Sequence, residues 1–198
     1  RGLGDVYKRQ PVFCLDIGGG VTNAAVVSLD GIIAGLSMNI GGNNMDANII
    51  DKIESCKGLR IGALSAERVK NEIGSLAVGA RGTTVVEGSL VSSYRPGSVS
   101  VQASEIAACI RVYIDKILEY ASLVLQKLPA EVAATVNQSG VYLSGGATKI
   151  SFVPEYIAKS LNMRFHVCDE PQFAVVSGAG AAARDGKLLA AIAVESPL

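Results

Sequence analysis

A chain of 198 residues with an apolar fraction of 49% has enough material for a buried core, arranged as one generous domain or two small ones. Its 18 Lys and Arg balance its 18 Asp and Glu, so no charge excess recruits nucleic acid or an anionic surface. Cys14, Cys56, Cys109 and Cys168 are scattered without a CxxC pair and His166 is the lone histidine, a pattern of buried, reduced thiols in a cytoplasmic protein rather than of a metal cluster.

The first ten residues, RGLGDVYKRQ, are polar and aperiodic, and they abut the strand-like PVFCLDI abruptly. DVYKRQ back-translates to GATGTGTATAAGAGACAG, which resembles the end of a transposase sequencing adapter. Residues 1–10 are therefore expected to be a translated library scar on a fragmentary gene, with the natural N-terminal portion missing. No apolar run reaches membrane-spanning length, and no signal-peptide pattern is present.

Val12 to Leu15 form a continuous apolar run, expected as a strand buried on both faces. Ala24 to Leu29, the hairpin signal Asp30-Gly31, and Ile32 to Ile40 complete a three-stranded antiparallel meander. Gly41-Gly42 then breaks the sheet. Asn43 or Asn44 is positioned to cap a helix whose buried stripe is Met45, Ile49 and Ile53, with Ile50 beside them. A second helix is expected from Ser65 to near Gly74, with Leu64 and Val69 forming a hydrophobic staple.

Residues 76–101 read as short strands. A long helix follows, capped by Ser104 and stopped by Pro129, with a seam of Ile106, Ile110, Tyr113, Ile117, Ala121, Val124 and Leu128. The strand Val141 to Leu143 enters the turn Ser144-Gly145-Gly146. Then come a helix over 153–161, a strand over 164–167 and an Ala/Gly-rich helix over 173–184, ended by Asp185-Gly186. The pattern is mixed α/β, with an insertion over roughly 51–130 between two segments of one sheet.

Three places can carry chemistry. In LDIGGGVTN, the glycines Gly18, Gly19 and Gly20 follow a strand. In a dinucleotide fold they would open a helix, but Val21 to Val27 are β-prone, so the loop is strand–turn–strand. A phosphate there would be held by backbone N–H groups of a tight turn, not by a helix dipole; an unliganded glycine hairpin is the plainer alternative. Asp16 is placed to hold a water of a bound Mg²⁺. Gly145-Gly146-Ala147 is a second glycine turn, which a flat ring can approach closely with Lys149 over it. Glu67 and Lys70 share one helix face and can either hydrogen-bond a ribose or base, or form an i,i+3 ion pair with each other.

The ordered series Asp-Ile-Gly-Gly-Gly-Val-Thr, Gly41-Gly42 with Met45-Asp46, Ser65-Ala66-Glu67-Arg68-Val69-Lys70 with Glu72-Ile73-Gly74, and Ser144-Gly145-Gly146 closely resembles the second half of the actin-like ATPases. Within that superfamily it is most similar to the bacterial actin homologues MreB and Mbl, over about residues 11–187. The resemblance implies an actin-like, ribonuclease-H-like α/β lobe with a mixed sheet and a small inserted α+β subdomain. Subdomain IIA would comprise 11–50 and 131–170, subdomain IIB 51–130, and 171–198 would form a helix returning to subdomain IA, plus the tail.

The resemblance also implies ATP and Mg²⁺ as cofactors. Gly18, Gly19, Gly20, Val21 and Thr22 match the second phosphate loop, and Asp16 the aspartate near the metal. Glu67, Lys70, Gly145, Gly146, Ala147 and Lys149 match the adenosine site. Asn23 stands at a water-orienting position where an acidic residue or histidine is usual, which leaves that role open. Expected partners are identical subunits in a filament and membrane-anchored cell-shape factors, with no nucleic acid. The expected location is the cytoplasm, with membrane association through such factors.

The first phosphate loop of these proteins has no counterpart in this sequence. The 198-residue chain alone is therefore expected neither to hydrolyse ATP appreciably nor to bind it tightly. Two competing functions stand beside the filament. One is a chaperone-like nucleotide switch, suggested by Ala147-Thr148-Lys149; the other is a non-catalytic nucleotide-binding scaffold.

Overall fold

A computed structural model describes residues 10–28 and 31–186. The expected library scar falls almost wholly outside these residues, as do Leu29 and the Asp30 of the hairpin signal. Strands β1 (Val12–Ile17), β2 (Thr22–Ser28) and β3 (Gly31–Met38) form the expected antiparallel meander. Strands β7 (Val141–Ser144) and β8 (Phe165–Val167) add to it in parallel, giving a five-stranded mixed sheet of order β3-β2-β1-β7-β8.

β1 is not buried on both faces. Phe13, Leu15 and Ile17 are buried whereas Val12, Cys14 and Asp16 are half-covered, the alternation expected of a sheet with one face in the core. The core face is covered by helix α3 (Ala103–Gln126), which lies across β2 and β3, and helix α1 (Gly42–Lys57) packs against α3. Met45, Ile49 and Ile53 of α1 and Ile106, Ile110 and Ile117 of α3 are fully buried, as their spacing predicts. Ile114 joins them, and the α3 seam is wider than a single row.

Between α1 and α3 the chain builds a second antiparallel sheet. It consists of β4 (Leu59–Arg60), β5 (Thr83–Leu90) and β6 (Pro96–Gln102), with helix α2 (Ala63–Ile73) packed on β5. Leu59, Val86 and Val101 of this sheet belong to the same continuous core as the five-stranded sheet. Helix α4 (Ala130–Ser139), helix α5 (Val153–Leu161) and helix α6 (Ala174–Arg184) complete the order.

Several helix starts differ from the sequence expectation for a common reason: backbone geometry, not a side-chain oxygen at the cap, sets them. α1 is entered through Gly41, and Asn44 works from inside the first turn, accepting the Gly41 N–H at 2.9 Å. α2 begins two residues before Ser65, so Leu64 lies on its outer surface, 83% exposed, and forms no staple. Ser104 is likewise inside α3. That start is held from inside the first turn, with Glu105 Oε2 accepting the Gln102 N–H at 2.8 Å while Oε1 meets Lys57 Nζ at 3.0 Å. Pro129 does not end α3 directly; it introduces α4, where a proline's missing N–H costs nothing. The four cysteines are free thiols; Cys109 is buried, whereas Cys56 is exposed against expectation.

Two substitutions test this account. Burial opposes ionisation of Glu105, but the Gln102 N–H and the Lys57 ammonium hold its carboxyl below its usual range. A lowered folded value means stability that is present above the unfolded glutamate range and lost as pH falls through the folded one. Glu105→Ala should therefore cost about 1 kcal/mol at neutral pH, and its urea midpoint should converge on that of the wild type in acid. Gly145 has φ +86°, and a Cβ there would sit 2.2 Å from the Ile17 carbonyl oxygen. Gly145→Ala should cost at least about 2 kcal/mol in the same assay.

Candidate nucleotide cleft

The hairpin between β1 and β2 closes with the Gly18 N–H donating to Val21 O at 3.0 Å. Its next two carbonyls are held from outside. Gly42 N donates to Gly18 O at 3.0 Å and Asn43 N to Gly19 O at 2.8 Å. These are the first amides of α1, which would otherwise lack partners. In a trans peptide the C=O and the following N–H point in opposite directions, and there is no cis peptide among the described residues. Clasping Gly18 O and Gly19 O therefore aims the Gly19 and Gly20 N–H groups away from α1, and neither has a backbone partner among the described residues.

The close approach requires Gly41. A Cβ on it would lie 2.5 Å from both Gly18 O and Gly19 O. Gly20 and Gly146 are the opposite case: a Cβ on either meets nothing within 4 Å. The fold does not demand glycine there, which leaves room for something placed against the backbone.

Beside the hairpin lies a cleft of about 390 Å³, within the range of small-molecule sites. Gly18 and Gly19 form one wall, and Gly42 and Asn43 of α1 continue it. Glu67, Lys70 and Asn71 of α2 form another wall; Gly146, Ala147, Lys149 and Ile150 face them, with Gln172 at the edge. Of the residues singled out from sequence, the cleft thus brings together Gly18, Gly19, Glu67, Lys70, Gly146, Ala147 and Lys149. Asn71 was not foreseen, though it follows Glu67 by four and must share its helix face. Gln172 was not foreseen either; its amide oxygen accepts Lys149 Nζ at 2.7 Å. The turn that carries it is tied to the second glycine loop by Gly145 N donating to Pro171 O at 2.8 Å.

Other expected residues serve differently. Thr22 is fully buried on the core face of β2, its hydroxyl donating to Ile40 O at 2.6 Å, so its side chain is not offered to a phosphate. Val21 closes the hairpin through its carbonyl. Gly145 supports β1 from beneath. Asp16 and Asn23 are register partners on the half-covered face, and the same row continues to Ser37 on β3 and Ser144 on β7. Ser144 Oγ donates to Asp16 Oδ1 at 2.7 Å, and Ser37 Oγ to Asn23 Oδ1. A polar row across four strands thus lies directly beneath the glycine hairpin.

Glu67 and Lys70 do not pair with each other. Lys70 is buried, and its ammonium donates to Asp46 Oδ2 at 2.8 Å and to Gly42 O at 3.2 Å. Arg68 and Glu72 form the i,i+4 pair on this helix instead. Burial pushes the Asp46 carboxyl above its usual range, against the pull of Lys70, and the charge of Glu67 adds to the rise. Asp46 Oδ1 is buried and has no hydrogen-bond partner among the described residues. Removing one member of such a pair strands the other charge and typically costs about 3–5 kcal/mol.

Among the described residues no group of three or more His, Cys, Asp or Glu is placed to hold a metal ion. Nor is any helix among them long and apolar enough to cross a membrane.

Comparison with known proteins identifies the family and the fold. A family profile described as MreB/Mbl protein matches residues 2–190. The cell shape-determining protein MreB of Escherichia coli (strain K12) is 30% identical over 169 residues, which are 85% of this chain and 49% of that protein. Mbl of Bacillus subtilis (strain 168) is 27% identical over 177 residues, 89% of this chain and 53% of that one. The chain therefore spans about half the length of the curated relatives it matches. Among solved structures, MreB5 of Spiroplasma citri bound to ADP superposes with a TM-score of 0.85 at 25% identity, covering 91% of this chain and 55% of that one. A MamK double helical filament shares the fold, with a TM-score of 0.74 at 20% identity, over 88% of this chain and 54% of that one. A profile match through nearly the whole sequence, on an actin-like lobe built around a clasped glycine hairpin, shows that the chain belongs to the MreB/Mbl family of actin homologues.

Proposed function

We propose that this chain is the nucleotide-binding lobe of an ATP-dependent, filament-forming cell-shape protein. The observation that carries the reading is the pair of unengaged N–H groups on Gly19 and Gly20, next to a cleft whose far wall is a second glycine turn. The Spiroplasma citri relative is described bound to ADP and, in another structure, to AMPPNP, which supports a nucleotide as the ligand. The phosphates lie against the Gly19 and Gly20 N–H groups. The adenosine occupies the cleft between Glu67 and Asn71 of α2 and the Gly146–Ala147 turn, with Lys149 over it.

Mg²⁺ accepts one or two carboxylates together with phosphate oxygens and waters, rather than an all-protein cage. Asp16, oriented by Ser144, fits that role through a water. The ion would neutralise charge developing on the phosphates. Asn23 is held by Ser37 one strand over; its amide can orient a water but cannot take a proton from one.

The polypeptide partners proposed are identical subunits and membrane-anchored cell-shape factors, at the cytoplasmic side of the membrane. The names of the relatives, cell shape-determining proteins and a double helical filament, support this assembly. Subdomain IIA is assigned to 11–50 with 131–170, IIB to 51–130, and residues 171–198 to the return towards IA.

Amide NMR titration of the chain with Mg-ADP tests the site. Shifts should concentrate at Gly19, Gly20, Gly146 and Ala147; shifts confined to other surfaces would overturn the assignment. Gly20→Ala should change folding stability by no more than about 0.5 kcal/mol, since its Cβ meets open space, yet weaken ADP more than adenosine. Single-turnover assays with ATP should show no appreciable hydrolysis by this chain alone.

A further inference from the structure

A hairpin of three glycines has no side chains with which to hold its own shape. Its N–H groups face outward only because Gly18 O and Gly19 O are seized by Gly42 and Asn43. What fixes Gly42 and Asn43 in turn is the question. Gly41 is extended backbone, and no side chain caps α1 from the preceding loop. Among the described residues, the charged group that bonds this first turn is the Lys70 ammonium, which reaches from α2 to Gly42 O at 3.2 Å and to Asp46 Oδ2 one turn further along α1. Both α1 contacts are buried. The fit is tight: a Cβ on Gly42 would stand 3.2 Å from Lys70 Nζ.

We propose that Lys70 is a positioning residue for the phosphate hairpin, acting through Asp46 and Gly42 of α1, and not primarily an adenosine ligand. Three consecutive links carry the effect: Lys70 to Gly42, Gly42 and Asn43 to the hairpin carbonyls, and those peptides to the N–H groups of Gly19 and Gly20. Two of the three ammonium donors are already committed within the protein, whereas Glu67 and Asn71 on the same helix keep exposed side chains along the cleft. The same linkage ties α2, packed on the three-stranded sheet, to the loop beneath the phosphates. Displacement of α2 therefore pulls on the hairpin. The ligand in this inference rests on the nucleotide reading above; the mechanical link does not.

The test uses the full 198-residue chain with K70M, D46N and the double variant D46L/K70M. Replacing both charges by apolar groups of similar size removes the pair without stranding a charge, and such replacements are often neutral for stability. The double variant therefore keeps the test meaningful should either single variant fold poorly.

The first measurement needs no ligand. Amide hydrogen exchange at Gly42 and Asn43 should quicken by about tenfold, the loss of roughly one hydrogen bond, with Leu15 and Val26 unchanged. Unaltered exchange at Gly42 and Asn43 in the double variant would overturn the proposal.

The second measurement titrates ADP and adenosine separately by amide shifts. Positioning predicts that ADP weakens by at least about fivefold while adenosine binding is unchanged. Equal losses for both would make Lys70 an adenosine ligand and overturn the proposal. A wild-type chain that shows no shift with either compound would sink the nucleotide reading, and the exchange measurement would still decide the link.

Discussion

The site depends on one constraint: the first two amides of α1, on Gly42 and Asn43, bond the carbonyls of the β1–β2 hairpin. Unpaired buried backbone groups are costly, so helix and hairpin satisfy each other or neither is stable where it stands. The placement of α1 is in turn a matter of packing. Met45, Ile49 and Ile53 are buried in the common core, where α1 packs against α2, α3 and β4, and its first turn lies beside the hairpin. Core burial, helix register and hairpin orientation are successive steps of one argument, and Gly41 is the point where a single added carbon would break it.

This constraint also divides the glycines of the site by cause. Gly41 and Gly145 are required by neighbouring carbonyls, which a Cβ would overlap. Gly20 and Gly146 face open space, and nothing in the fold accounts for them. A glycine-rich loop read as a unit hides this distinction, although the two kinds predict opposite outcomes on substitution: lost stability in one case, altered ligand contact in the other.

Much of the fold was legible because its signals are local. The β-prone run after Gly20 and the 3.6-residue spacing of α1 and α3 depend only on neighbours in sequence, and both elements form as that pattern requires. The profile match likewise agrees with the order of the glycine motifs. What escaped was set by distant contacts. Lys70 meets Asp46 across 24 residues, a pairing that exists only because α1 and α2 pack side by side; from sequence the opposite charge that shares its helix face is Glu67, three residues before it. Thr22 belongs to a phosphate motif by order, yet period-two alternation with Ala24 and Val26 turns its side chain into the core. Helix α4 went unseen because it buries only Val136 completely and has no strong apolar stripe. Gln172 reaches the cleft by a turn docked on Gly145, which no local pattern announces.

The clasp has an electrostatic consequence as well. The peptide dipoles of α1 add along its axis, with the positive pole at Gly42. Each clasped hairpin peptide accepts from that pole at its oxygen and presents its own N–H on the far side, so it lies head to tail with the helix. Hydrogen-bonded amides in series polarise one another. The hairpin therefore acts as a two-peptide extension cord for the helix, carrying its positive end past the point where the spiral stops. The turn without side chains borrows the field of a 16-residue helix and delivers it at Gly19 and Gly20, in a position that no helix terminus occupies.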